Sequence, residues 1–209
     1  MTILDLRVTL VDCEPAVWRE VRLPSDVLLT DLHHVLQIAM GWEDTHRHGF
    51  GRGESYWTAS ARWLLEPESE EAEERGVTLE DALGDGAVLT YLYDMGDDWE
   101  HRVAVAGTSE GTSETAELLG GEGACPPEDS GGIFGFAELV AALRRVQAGE
   151  EPDGWDADRL HHLVGDGDAQ ELATKLLDFD DVAVRAELEG APITELGSLR
   201  DQDQDPHFP

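Results

Sequence analysis

Two runs rich in β-branched and aromatic residues, Val88-Leu89-Thr90-Tyr91-Leu92-Tyr93 and Trp99-Glu100-His101-Arg102-Val103-Ala104-Val105, flank the polar stretch Met95-Gly96-Asp97-Asp98. Gly96-Asp97 suits the centre of a tight turn, so the segment predicts an antiparallel hairpin and commits the chain to contain sheet. With a two-residue turn, Asp94 pairs with Trp99 and Leu92 with His101, and all four project to one face beside Val88, Val103 and Val105. Asp94 and His101 then stand at the turn-proximal end of an apolar surface, where a pocket rim can form. A carboxylate beside an imidazole can orient it for acid–base work, or ligate a hard or borderline metal with it. The same two residues serve structure equally well, Asp94 by capping its own turn and His101 by bonding within the fold.

The rest of the chain supplies partners for this hairpin. Ile3 to Val11 and Val17 to Leu23 predict an opening hairpin, and Thr30 can cap a helix whose apolar positions Leu32, Val35, Leu36, Ala39 and Met40 end at Gly41. His46-Arg47-His48-Gly49-Phe50 alternates as a strand, and Ser55 to Ala59 predicts another. The acidic stretch Glu66 to Glu74 reads as a solvated loop, Thr78 to Leu83 as a short helix, and Gly107 to Gly123 as a flexible connection. Phe136 to Val146 predicts an amphipathic helix, Asp156 to His162 and Ala169 to Leu177 later helical pieces, and Asp201 to Pro209 a disordered tail. The pattern is α+β: a mixed, mostly antiparallel sheet built from hairpins with packed helices and a helical C-terminal part. The expected division is a domain over 1–165, a helical extension over 166–200 and a tail over 201–209.

Charge narrows the partners. Asp and Glu number 46 against 14 Lys and Arg, a formal charge of -32, and Lys175 is the single lysine. A duplex-binding surface needs clustered cations to displace counterions, so direct nucleic-acid binding is disfavoured. No apolar run is long enough to span a bilayer and the N-terminus has no export pattern, which predicts no membrane association. Two cysteines, Cys13 and Cys125, form neither a disulfide framework nor a zinc knuckle, and a cytoplasmic location fits. No GxSxG elbow, Walker loop, GxGxxG fingerprint or HExxH helix occurs. His46 and His48, two apart on a strand, can present two imidazoles to one ion. His33 and His34, like His161 and His162, read as packing or solvent-facing residues, and Cys125 as a small buried residue in a loop stiffened by Pro126-Pro127.

Four motifs then coincide in order and spacing: Trp18-Arg19 before Leu23-Pro24; Leu32-His33 through Gly41-Trp42 to His46-x-His48-x-Phe50; Tyr93-Asp94-Met95-Gly96-Asp97-Asp98-Trp99-Glu100-His101; and Cys125-Pro126-Pro127-Glu128-Asp129-x-Gly131-Gly132. Together they resemble the plasmid pRiA4b ORF-3-like family, over residues 3 to 160. Met95 stands where that family usually has Phe, Arg47 where it has Leu, and Ser130 where many relatives have a second Cys, which counts against a cysteine-pair metal or redox site. The resemblance implies an α+β fold and no settled activity. Some members carry a transposon-passenger or TnpR label, yet no nucleophilic-serine recombinase motif is present, and the acidity opposes a role as a DNA recombination accessory. The leading expectation is a binding or accessory module, linked by the family label to mobile elements. It would recognise a small ligand or protein through a rim of Asp94, Asp97, Trp99, His101, Glu128 and Asp129. The competing expectation is an enzyme holding a divalent metal with His46, His48, Asp94 and His101, with Glu128 or Asp129 as acid or base.

Overall fold

Strict alternation in the first strand puts Leu4, Leu6, Val8 and Leu10 on the core side, and the second answers with Arg19, Val21 and Leu23. The computed structural model describes residues 1–59, 71–151, 154, 157–158, 160–161, 173–174 and 177–197. Strands β1 (Thr2–Leu10), β2 (Trp18–Pro24), β3 (His48–Arg52), β4 (Ser55–Thr58), β5 (Glu71–Glu73), β6 (Val88–Tyr93), β7 (Trp99–Glu110) and β8 (Glu117–Glu122) form one sheet in the order β5-β4-β3-β6-β7-β1-β2-β8. Its pairs are antiparallel except β4 with β5, so the sheet is mixed. The helices described over their whole length are α1 (Leu29–Met40), α2 (Leu79–Leu83), α3 (Gly132–Gln147) and α4 (Asp181–Gly190), and α4 packs on β8 and α1. The class is α+β, as the sequence predicts. Among the described residues no helix is long and apolar enough to cross a membrane.

Helix α1 ends at Gly41 as expected, with φ 104° and its N–H bonded to Gln37 O. Its start differs. Thr30 lies inside the first turn and Leu28 is the N-cap without a side-chain bond, because Leu29 N–H is satisfied by Val77 O at 2.9 Å across a bridge between Leu28 and Thr78. A tertiary carbonyl does the work of a capping hydroxyl. Thr78, by contrast, caps α2 through Asp81 N–H.

Three further expectations are corrected. Residues Gly107 to Gly123 are mostly strand: β7 runs on to Glu110 against β1, and β8 pairs with β2. Their small and polar residues sit in paired positions, with register shifts at Asp5/Leu6 and Glu20/Val21, so pairing outweighs weak strand propensity. Of the acidic stretch, residues 66–70 lie outside the described residues, Glu71–Glu73 is β5, and Glu74 is buried. The hairpin forms, but in another register: Tyr93 pairs with Trp99, Tyr91 with His101 and Leu92 with Glu100, leaving Asp94–Asp98 as a five-residue loop. Trp99 and His101 therefore share the core face with Tyr91 and Tyr93, while Leu92 faces the other side. Of the predicted later helical pieces, residues 157, 158, 160, 161, 173, 174 and 177 are described and helical; the tail from 201 lies outside the described residues.

Candidate functional site

The five-residue loop is built by two aspartates in the left-handed region, Asp94 at φ 56° and Asp98 at φ 60°. Asp94 N–H donates to Arg47 O (2.9 Å), Asp94 Oδ1 accepts from Gly96 N–H (2.8 Å), and Asp94 O accepts from Asp98 N–H (2.7 Å). One carboxylate oxygen thus makes the turn, and Oδ2 faces His46 Nε2 at 3.7 Å. The segment before α3 completes the site. Glu128 Oε1 accepts from Glu43 N–H (2.8 Å) and Tyr93 O–H (2.9 Å), which fixes the carboxylate so that Oε2 lies 3.7 Å from His46 Nε2. Asp129, at φ 55°, brings Oδ1 to 3.4 Å from the same nitrogen.

Three carboxylates thus surround one imidazole nitrogen at 3.4–3.7 Å, and none of them forms a hydrogen bond with it. His46 Nε2 and Glu128 Oε2 are buried atoms with no hydrogen-bond partner. One ligand atom each from His46, Asp94 and Asp129 lies within 4.8 Å of the others. Atoms bound at about 2.1 Å to a common ion stand about 3.0–3.4 Å apart, so the 3.4–3.7 Å between His46 Nε2 and the three carboxylates is slightly wider than a closed coordination shell. Burial raises the Glu128 carboxyl above its ordinary value, against the bonds from Glu43 and Tyr93 that favour its charged form. Burial and the facing Glu128 charge push the Tyr93 hydroxyl well up, so it stays a donor.

Asp97 serves position. Its Oδ2 accepts from Gly131 N–H at 2.8 Å, tying the hairpin loop to the start of α3. Gly132 (φ +66°) follows, and a Cβ there would stand 2.7 Å from Asp97 O. Gly132→Ala combines this backbone clash with an unfavourable φ, and is expected to cost about 1–3 kcal/mol, read as a melting temperature about 3–10 °C lower. An unchanged melting temperature would mean the two loops are not held together as described.

The remaining predicted site residues lie elsewhere. Trp99 and His101 are fully buried: Trp42 Nε1–H donates to His101 Nε2 (3.2 Å), and His101 Nδ1–H donates to Tyr91 O (3.2 Å). Neither forms a rim, because the hairpin register turns both inward. His48 begins β3 while His46 precedes it, so the two rings do not share a strand face; His48 Nε2 donates instead to Glu74, 3.1–3.2 Å from its oxygens.

His48 belongs to a second cluster with His33, Asp44 and Glu74. Asp44 N–H donates to Gln37 Oε1 (2.8 Å), which turns the Gln37 amide nitrogen onto Tyr91 Oη (2.9 Å). The Tyr91 hydroxyl then donates to His33 Nδ1 (2.8 Å), and His33 Nε2–H to Asp44 Oδ1 (2.8 Å), closing a circuit that assigns the Nε2–H tautomer. Burial holds the His33 imidazole down to about 4 despite Asp44. For Asp44, burial alone would raise the carboxyl, but the His33 bond and nearby imidazoles leave it below its ordinary value. Ligand atoms of His33, Asp44 and His48 also fall within 4.8 Å of one another. The rings of His33 and His48, however, are stacked at 3.5 Å and 7°. In-plane lone pairs of two parallel rings do not converge on one ion, so this cluster is a poor cation site as arranged. It lines a cavity of about 390 Å³ together with His34, His46, Arg47 and Arg75. The sequence carried a signal for it: Leu29, His33 and Gln37 recur every fourth residue on the buried face of α1.

The pattern of the plasmid pRiA4b ORF-3-like proteins matches residues 2–182. The uncharacterized protein y4hQ of Sinorhizobium fredii is 38% identical over 146 residues, which is 68% of this chain and 73% of that one. Among solved structures, a protein of unknown function from Methanosarcina mazei Go1 matches with a TM-score of 0.68 at 22% identity, covering 88% of this chain and 96% of that chain. At that identity the likeness shows the fold.

Proposed function

The chain belongs to the plasmid pRiA4b ORF-3-like family, and from that premise we propose that it is a divalent-cation-dependent binding module, with His46, Asp94, Glu128 and Asp129 as the cation ligands. The observation that carries this reading is the placement of Asp94, Glu128 and Asp129 within 3.4–3.7 Å of His46 Nε2, while Nε2 and Glu128 Oε2 lack partners. Without a cation, three carboxylates share the surroundings of one imidazole nitrogen; a divalent ion would offset their like charge. One nitrogen and several oxygens form a mixed donor set of the kind that suits manganese or zinc better than magnesium. Asp129 is 80% exposed on its side chain, so the site opens to solvent on that side, where a ligand can meet the ion. The free thiols of Cys13 and Cys125 fit a reducing cytoplasm, and the charge of -32 gives no support to nucleic acid as the partner.

A second reading, a metal-dependent enzyme, draws on Glu128. With His46, Asp94 and Asp129 as ligands, a carboxyl whose proton affinity is raised by burial stands beside the ion, where a general base is useful. Both readings require the cation. Titration of metal-free protein with Mn²⁺, followed by electron paramagnetic resonance of the free ion, is expected to show one saturable site. Asp94→Asn and His46→Ala are each expected to weaken it at least about tenfold, the loss of a charged or imidazole ligand. Absence of saturable binding, or binding by both variants as tight as that of the wild type, would sink the proposal.

A further inference from the structure

The geometry points to the 390 Å³ cavity beside this site as the pocket for a small phosphorylated molecule, with Arg47, Arg75 and the cation binding its phosphate. The inference rests on the cation reading and extends it to a ligand class. His46 is the shared wall: its Nε2 faces Asp94, Glu128 and Asp129, while the residue also lines the cavity. A molecule in the cavity therefore meets a residue that also faces the ion position. Arg47 is tied to the same place from its main chain, since its carbonyl accepts from Asp94 N–H.

The charge distribution supports an anion. In a chain with 46 acidic and 14 basic residues, two arginines and four of the eight histidines line one cavity. Its two carboxylates are already engaged, Asp44 by His33 Nε2–H and Glu74 by His48 Nε2–H. Arg47 and Arg75 are exposed and line the cavity, where a guanidinium can meet an anion. A volume of about 390 Å³ suits a small metabolite. A phosphate group has enough oxygens to meet a guanidinium fork and a metal ion at once, which is how divalent ions and phosphates are commonly held together.

The probe is inorganic phosphate, observed by ³¹P relaxation with full-length protein in its Mn²⁺-loaded form. Saturable paramagnetic broadening of the phosphate line is expected, beyond that from free Mn²⁺. An Arg47→Ser/Arg75→Ser variant is expected to weaken phosphate at least about tenfold, from the loss of charge-assisted bonds, while its Mn²⁺ affinity and melting temperature stay close to wild type. If Mn²⁺ binds but the broadening is not saturable, or survives in the double variant, the pocket assignment fails and the cation site stands. If Mn²⁺ itself does not bind, both fall.

Discussion

Arg19→Met is expected to lower the unfolding free energy by about 3–5 kcal/mol and the melting temperature by about 10 °C, read by urea and thermal denaturation. Arg19 is 1% exposed and its guanidinium is held by backbone carbonyls. Its Nε–H donates to Ala39 O (2.7 Å), Nη1 to Trp18 O (2.7 Å) and Glu122 O (2.9 Å), and Nη2 reaches Met40 O at 3.5 Å. Two of these carbonyls close α1, where the negative end of the helix dipole favours a cation. The guanidinium also lies 3.6 Å from the Phe179 ring centroid. Burial lowers its proton affinity to about 10, still above neutral pH, so the charge remains. Methionine keeps much of the stem's apolar volume but leaves the carbonyls without donors, each at a cost of about 1–3 kcal/mol. The effect reaches the site, because α1 runs directly into Trp42, Glu43 and Asp44, and Glu43 N–H holds Glu128. Mn²⁺ affinity is therefore expected to fall together with stability. A loss below about 1 kcal/mol would refute the role assigned to Arg19.

Arg19 also shows what kind of information the sequence held. Trp18-Arg19 was visible as a motif, but nothing local says that an arginine on a strand points inward; that depends on β2 placing residues 19, 21 and 23 against α1. Where a period was regular and its partner adjacent, reading was direct: β1, β2, α1 and α3 follow from alternation or helical spacing. The hairpin of β6 and β7 was legible as a hairpin, yet its register hung on the turn. A two-residue turn at Gly96-Asp97 gives Asp94 opposite Trp99. The real loop is longer because Asp94 and Asp98 adopt left-handed backbone conformations and Asp94 spends one oxygen on Gly96. The two-residue turn sets Leu92 opposite His101, whereas the five-residue loop sets it opposite Glu100 on the far face and buries Trp99 and His101. Asp94, Glu128, Asp129 and His46 come together regardless of this error, since they lie in loops whose placement does not depend on that parity. Glu74 was missed for the opposite reason: composition marks its surroundings as solvated, and only the long-range contact with His48 reveals a buried carboxylate.

Acid should destabilise the protein through the histidine that the register turned inward. His101 is fully buried as a neutral imidazole, accepting from Trp42 and donating to Tyr91 O, and burial pushes its proton affinity down to about 4. In the unfolded chain the same group titrates near 6.5. As pH falls from about 6.5 toward 4, the unfolded chain takes up the proton first, so equilibrium moves toward unfolding; above about 7 the term vanishes. Between pH 7.5 and 5 this amounts to about 2 kcal/mol for His101, with His33 contributing in the same direction. The acidic surface pulls the other way, because protonating carboxylates relieves self-repulsion. A variant comparison separates the two. His101→Gln offers an amide oxygen to Trp42 and an amide N–H to Tyr91 O but cannot titrate. It is expected to be less stable than wild type by about 1–3 kcal/mol at pH 7.5 from imperfect packing and geometry, with the gap shrinking by about 2 kcal/mol at pH 5. The surface term cancels in that difference, so a gap that stays constant across the range would show that His101 does not change its proton affinity on folding.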